Sequence, residues 1–138
     1  MNQHFKEEHL SKVIDNIEDS IQRINKYLGD VSEYGLNKDE MSYDAINMRL
    51  QIIGESINTL YVKEPGIFEN TNLPVQEIKG LRNIISHRYY DLDPDEIMST
   101  CEESLPALTA VLDILRSNLK KLANEPQNEQ EKTSGRTR

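Results

Sequence analysis

The sequence LSKVIDNIEDSIQRINKYL, residues 10–28, establishes the helical character of this chain. Its aliphatic residues recur at steps of three and four, which is the spacing of one face of an α-helix. We predict a first helix from about residue 5 to residue 28, ended by Gly29 and Asp30. A helix with one apolar stripe must bury that stripe against other helices. The stripe consists of Leu10, Val13, Ile14, Ile17, Ile21, Ile24 and Leu28.

A second helix is predicted on the C-terminal side of this segment, from about residue 40 to residue 62. A connector over residues 31–39 precedes it, and Glu64, Pro65 and Gly66 stop it. Gly54 lies inside the predicted helix, where glycine costs about 1 kcal/mol relative to alanine, so another helix, of the same chain or of a second copy, is expected to approach closely there. The predicted buried face comprises Met41, Ala45, Met48, Ile52, Ile53, Ile57 and Leu60.

Two further helices follow. Pro74 is placed at the first position of the third helix, where its missing N–H costs nothing. Asp93, Pro94 and Glu96 form a start signal for the fourth helix, and Pro106 inside it should kink it. The third helix buries Val75, Ile78, Leu81, Ile84 and Ile85; the fourth buries Ile97, Cys101, Leu105, Leu108, Leu112, Leu115, Leu119 and Leu122.

The predicted architecture is all-α, an antiparallel bundle of four helices, or five if Pro106 separates two pieces. Residues 1–123 form the helical domain, and residues 124–138, which are polar and without periodicity, form a disordered tail. A length of 138 residues suits one domain. Cys101 is the only cysteine, no secretory signal begins the chain, and no apolar run reaches the ~20 residues of a membrane span. We therefore expect a cytoplasmic protein without membrane association.

The polar side chains that carry chemistry concentrate in residues 82–90, RNIISHRYY, at the end of the third helix. The unperturbed pKa of a histidine side chain is near 6.5, so His87 is a residue type that can exchange a proton near neutrality. Arg82 supplies a permanent cation whose planar fork suits phosphate. These two groups are what cleavage of a phosphodiester without a metal requires, so no metal or cofactor is expected.

The chain contains the pattern Arg-x4-His-x-Tyr at Arg82, His87 and Tyr89. This pattern resembles the signature of HEPN-domain ribonucleases, and more narrowly that of the HepT-like toxins. Residues 48–56, MRLQIIGES, resemble the second-helix pattern of that family, and residues 80–83, GLRN, resemble its Gly-Met-Arg-Asn run. The resemblance covers roughly residues 5–122. Val75 stands where many relatives carry a tryptophan, which we interpret as a packing change.

The resemblance implies a homodimer that cleaves RNA at its subunit interface. Members of the HepT-like family act as toxins of type II-like toxin–antitoxin pairs. Their antitoxin is a minimal nucleotidyltransferase encoded nearby. It can transfer AMP onto the tyrosine of the motif, which matches Tyr89 here. Arg82 and His87 would be catalytic: His87 as general base or acid, Arg82 on the scissile phosphate. The supporting residues that contact RNA would be Asn83, Ser86, Arg88 and Tyr89.

The five-residue step from Arg82 to His87 corresponds to about 140° around an ideal helix, so the two cannot share one face. Either the helix ends around Ser86 and redirects His87, or two chains assemble the site; the resemblance implies the second.

A second interpretation is a non-catalytic dimeric interaction module that binds a nucleotide or a partner nucleotidyltransferase. The net charge of −8 favours this module, because a general nucleic-acid binder presents a basic surface. The intact set of Arg82, His87 and Tyr89 favours the ribonuclease.

Overall fold

The four predicted helices are all present. The computed structural model describes residues 3–31, 35, 39–88 and 91–125, without the side chains of residues 3–5, 84, 87 and 88. The helices are α1 (Gln3–Gly29), α2 (Glu40–Lys63), α3 (Val75–Arg88) and α4 (Pro94–Ala123), with a 3₁₀ turn at Pro65–Phe68 between α2 and α3. No strand occurs among the described residues, so the all-α prediction is confirmed.

Neighbouring helices in the bundle run antiparallel. Lys6 near the start of α1 pairs with Glu64 just beyond α2 at 3.0 Å, whereas Asp19 further along α1 lies 3.9 Å from Arg49. Arg116 in the last third of α4 contacts the middle of α1, as described below. The predicted α1 stripe is buried throughout except for half-buried Leu28, and α4 buries its stripe except for half-buried Leu122.

Polar side chains fix the starts of α2 and α4. The Asp93 carboxylate accepts a hydrogen bond from the Asp95 backbone N–H at 2.9 Å, which confirms the predicted cap of α4. Asp39 caps α2 in the same way by accepting from Ser42 N–H at 3.2 Å. The position predicted for Pro74 is wrong by one residue. Its carbonyl accepts the first helical bond, from Ile78 N–H at 3.0 Å, so Pro74 precedes the first residue of α3.

Pro106 does not divide the fourth helix. α4 continues through it from Pro94 to Ala123, so the bundle has four α-helices in the described part of the chain and the fifth piece is not formed. Pro106 and its neighbour Ala107 are exposed, which leaves the side of the helix that lacks one hydrogen bond facing water.

The predicted buried face of α2 is partly wrong. Met41 is 85% exposed and Met48 is 56% exposed, while Ile46 and Leu50 occupy the core instead. The two methionines lie seven residues apart and therefore on one side of α2. Half-buried Ile52 follows Met48 by one turn, so α2 has an apolar strip on its solvent side.

The fourth helix ends where the predicted domain ends, at Ala123. Apart from its first two residues, the tail predicted over residues 124–138 lies outside the described residues. None of the described helices is both long enough and apolar enough to pass through a lipid bilayer.

Candidate active site

The helix that carries most of the candidate residues, α3, packs very closely on α2 at Gly54. A Cβ atom added at Gly54 would lie 3.1 Å from the Arg82 backbone nitrogen and 3.1 Å from the Ile78 carbonyl oxygen. Even a methyl group there would require the two backbones to move apart by a few tenths of an ångström. The expected close approach of another helix to Gly54 is therefore confirmed, and the helix is α3.

Arg82 lies at this contact, and its guanidinium has a hydrogen-bond donor that is not used. Its side chain is half-buried, and Nη2 donates to the Asn83 side-chain oxygen at 3.3 Å. Its Nε is buried and has no hydrogen-bond acceptor among the described residues. Arg82 forms no ion pair with any carboxylate of the described residues. A partly desolvated guanidinium without a counter-charge is suited to an anionic ligand such as a phosphate.

The other arginines whose side chains the structure describes each lie close to a carboxylate of the same chain. Arg116 donates to Asp15 at 3.2 Å and to Glu18 at 2.6 Å, which ties α4 to α1. Arg23 pairs with Asp19 at 3.0 Å, and Arg49 lies close to the same carboxylate. Arg82 differs from these arginines in having no such partner within the described part of the chain.

Gln51 contacts the motif through Ser86, and the sequence did not reveal this contact. Its amide nitrogen donates to the Ser86 hydroxyl at 2.9 Å, which fixes the last turns of α3 against α2. The available signal was positional, since residues 51 and 54 lie on adjacent turns of the face that meets α3. Asn83 and Ser86 are both exposed, so their side chains border the surface beside Arg82.

A second unrecognised polar group, Asn47, lies one turn before Gln51 on α2. It is 2% exposed, and in the part of the chain that the structure describes neither its amide nitrogen nor its amide oxygen has a hydrogen-bond partner. Spacing along α2 places it on the same face as Gln51 and Gly54, toward the end of α3. A buried amide with unused donor and acceptor capacity costs about 1–3 kcal/mol, so it is a notable feature of this end of the bundle.

The third helix does not end at Ser86. The α3 backbone remains helical through Arg88, which excludes the first of the two ways to reconcile Arg82 with His87. Positions 82 and 87 are therefore about 140° apart on one continuous helix. The side chains of His87 and Arg88, and Tyr89 as a whole, lie outside the described residues, so their assigned roles remain predictions.

Lys79 contributes a further positive charge on α3. Its ammonium lies 4.4 Å from the centre of the Tyr61 ring, a cation–π contact between α3 and α2. Within the described residues, no group of three or more His, Cys, Asp or Glu side chains is arranged to hold a metal ion.

The family comparison covers the helices that build this site. A family model described as Ribonuclease HepT-like matches residues 17–115, which include Gly54, Arg82 and His87. A Methanocaldococcus jannaschii protein named as a putative RNase is 25% identical over 100 residues, which cover 72% of this chain and 90% of that protein. No solved structure shows significant similarity to the chain. Because the family model matches well over half of the chain and the all-helical fold agrees with that match, the chain belongs to the HepT-like ribonuclease family.

Proposed function

We propose that this protein is a metal-independent endoribonuclease that acts as the toxin of a type II-like toxin–antitoxin pair. The proposal depends on the state of Arg82. Its guanidinium is half-buried, and in the described part of the chain its Nε has no hydrogen-bond acceptor and no carboxylate pairs with it. Membership in a ribonuclease family supports RNA as the source of the anion.

The proposed chemistry divides between two side chains. His87 removes the proton from a ribose 2′-hydroxyl or donates a proton to the leaving 5′-oxygen. Arg82 binds the scissile phosphate and stabilises the charge that accumulates on it in the transition state. Attack by the 2′-oxygen on phosphorus breaks the bond to the 5′-oxygen, so the products carry a 2′,3′-cyclic phosphate and a 5′-hydroxyl. Asn83, Ser86, Arg88 and Tyr89 would contact the bound strand.

A homodimer is proposed because positions 82 and 87 diverge on one helix. In a symmetric dimer, Arg82 of one chain can face His87 of the other chain across a shared cleft. The apolar strip of α2, formed by Met41, Met48 and Ile52, supports this arrangement. It lies on the solvent side of the helix that packs against α3, and exposed apolar side chains of this size favour burial by a second copy.

The catalytic proposal is tested by cleavage of a labelled RNA in the presence of EDTA. Arg82→Ala should lower the cleavage rate by about 10²–10³-fold, the usual cost of removing one stabilising donor from a transition state. Arg23→Ala is the matched control, since Arg23 is an exposed arginine on α1 whose partner is Asp19; it should leave the rate unchanged. Equal rates for wild type and Arg82→Ala, or cleavage only with added Mg²⁺, would contradict the proposal.

Control by an antitoxin is proposed from the family resemblance. A minimal nucleotidyltransferase would transfer AMP onto Tyr89, and the bulky anion beside Arg82 and His87 would occupy the phosphate site. Tyr89→Phe should therefore stay toxic to cells that also express the nucleotidyltransferase. Normal growth of such cells would show that modification is not the mode of control, leaving inhibition by binding.

The second candidate is a dimeric interaction module that binds a nucleotide or the nucleotidyltransferase without cleaving RNA. The net charge of −8 favours it, because little of the surface would attract a polyanion. The same RNA assay separates the two functions. A module would bind its nucleotide in an Arg82-dependent manner and leave RNA intact, and its expression would not arrest growth.

A further inference from the structure

An apolar cavity of about 220 Å³ lies between α3 and α4, on the side of α3 away from Gln51. Leu50 and Ile53 of α2 form its floor, and Ile78 and Leu81 of α3 form one wall. The opposite wall belongs to α4 and carries two hydroxyls, those of Thr100 and Ser104. The cavity is open to solvent on one side, so it is a groove with an apolar base.

The volume of the groove indicates what can fill it. Sites for small-molecule ligands usually span about 300–1,000 Å³, which is larger than this groove. A cavity of about 150 Å³ already accommodates benzene, so about 220 Å³ matches one aromatic or long aliphatic side chain with some space beside it. Pockets that accept a single buried side chain are typical of the energetic centres of protein–protein interfaces.

The surroundings of the groove are acidic. The exposed Glu77 lines its mouth on the α3 side. On α4 the exposed Glu96 precedes Thr100 by one turn, and the Thr100 hydroxyl donates to the Glu96 carbonyl oxygen at 3.0 Å. The exposed Glu103 is adjacent to Ser104. Carboxylates on both rims favour a ligand whose apolar group is flanked by positive charge.

The chain's own C-terminal segment does not fit this description. Residues 126–138 read PQNEQEKTSGRTR and contain no aromatic or aliphatic side chain apart from proline. These residues therefore supply no apolar anchor for the groove.

We propose that this groove is the docking site of a partner protein, which inserts one aromatic or leucine side chain between α3 and α4 and places lysine or arginine residues beside Glu77 and Glu96. The inserted side chain would contact Leu81, the residue before Arg82. The partner would therefore bind to the helix that carries the candidate active site. The docking surface lies on the flank of α3 opposite the Gln51–Ser86 contact. It therefore does not depend on whether Arg82 is catalytic.

The test selects peptides from a random peptide library on the immobilised full-length protein and measures their dissociation constants. The expected peptides carry one aromatic residue or leucine next to lysine or arginine. Ser104→Phe, which fills the groove, should weaken binding of the best peptide by about tenfold or more. Glu77→Lys should weaken it similarly by charge repulsion, while replacing the basic residues of the peptide with glutamate should restore binding to that variant.

Glu102→Lys is the matched control for Glu77→Lys. Glu102 is also an exposed acid, but it lies two positions from both Thr100 and Ser104 and so about 160° around α4 from the groove. It should leave binding unchanged. Because Glu77 is exposed, its variant should fold even if Ser104→Phe does not, and circular dichroism checks both. Peptides without the anchor and basic residues, or equal binding to wild type and Glu77→Lys, would overturn the proposal. Arg82→Ala should bind the peptide normally, which separates this result from the fate of the ribonuclease proposal.

Discussion

Gly54 is the residue at which the closeness of α2 and α3 can be measured. In Gly54→Ala the new Cβ would meet two backbone atoms of α3 at 3.1 Å, and these atoms can move only with the whole helix. Overpacking of this kind costs about 1–3 kcal/mol, against a gain in helix propensity of about 1 kcal/mol. We expect the free energy of unfolding, measured with urea, to fall by about 1 kcal/mol.

The control for this substitution is Gly80→Ala in α3. A Cβ there would meet no atom within 4 Å, so only the propensity gain remains and the free energy of unfolding should rise by about 0.5–1 kcal/mol. If both variants stabilise the protein equally, the tight contact at Gly54 is absent.

Cys101 is predicted to be unreactive near neutral pH and destabilising in alkali. Burial, reinforced by the neighbouring charge of Glu102, raises the pKa of the Cys101 thiol to about 11. An unfolded thiol titrates near pH 8.5, so between about pH 8.5 and 11 only the unfolded chain loses its proton. The unfolded state is favoured increasingly over that interval, by at most ~1.4 kcal/mol per pH unit.

The measurement compares wild type with Cys101→Ala, which lacks the thiol, in urea titrations from pH 8 to pH 11. The difference in free energy of unfolding should change with pH in the direction that disfavours wild type, and iodoacetamide should react with the folded protein only slowly at pH 8. A pH-independent difference would show that the thiol titrates normally.

Some residues of the site could be predicted from the sequence and others could not. Gly54 was identified because a glycine inside a helix is unusual in itself, and Arg82 because it belongs to the cluster of polar side chains in residues 82–90 that resembles the family motif. Gln51 and Asn47 were missed because each is an ordinary helical residue whose importance depends on which helix packs beside it. That information is tertiary.

Among the helices, α4 shows most clearly how one side chain can fix where a helix begins. The Asp93 carboxylate satisfies the Asp95 N–H, and Asp93→Ala should remove about 1 kcal/mol from the free energy of unfolding. Asp93→Asn keeps an accepting oxygen and should lose much less, so thermal or urea unfolding of the pair distinguishes capping from a loss of charge. Equal losses in the two variants would assign the effect to charge alone.

Element boundaries and buried faces were predictable to different degrees. The stripes of α1 and α4 were predicted correctly because their large aliphatic residues recur over many turns and leave one consistent face. Met41 and Met48 were placed in the core because they extend the periodic pattern of α2, but periodicity does not reveal that a partner helix is missing on that side. Their exposure is the part of the fold that the pattern concealed.

At the scale of the whole molecule, the exposed strip of α2 leads to a prediction about assembly. Met48→Lys places a charge in the proposed dimer interface and should shift the solution mass, measured by light scattering, from about twice the 15.9 kDa of one chain toward one chain. Ile114→Lys is the control, since Ile114 is an exposed aliphatic residue on α4 and should leave the mass unchanged. A monomeric wild type would remove the basis for a shared site.

Complementation between two inactive variants tests the shared site itself. Because α3 is continuous through Arg88, Arg82 and His87 of one chain diverge, and the proposal pairs each with its counterpart on the other chain. Arg82→Ala and His87→Ala should each be inactive alone. After unfolding and refolding together, half of the dimers contain both variants, and each retains one intact pair across the interface. RNA cleavage should then return to about a quarter of the wild-type rate, as expected for one of two sites in half of the dimers. Mixed dimers that form but cleave no RNA would mean that the two side chains act within one chain, and the divergence along α3 would then have to be overcome by a local rearrangement of its last turn.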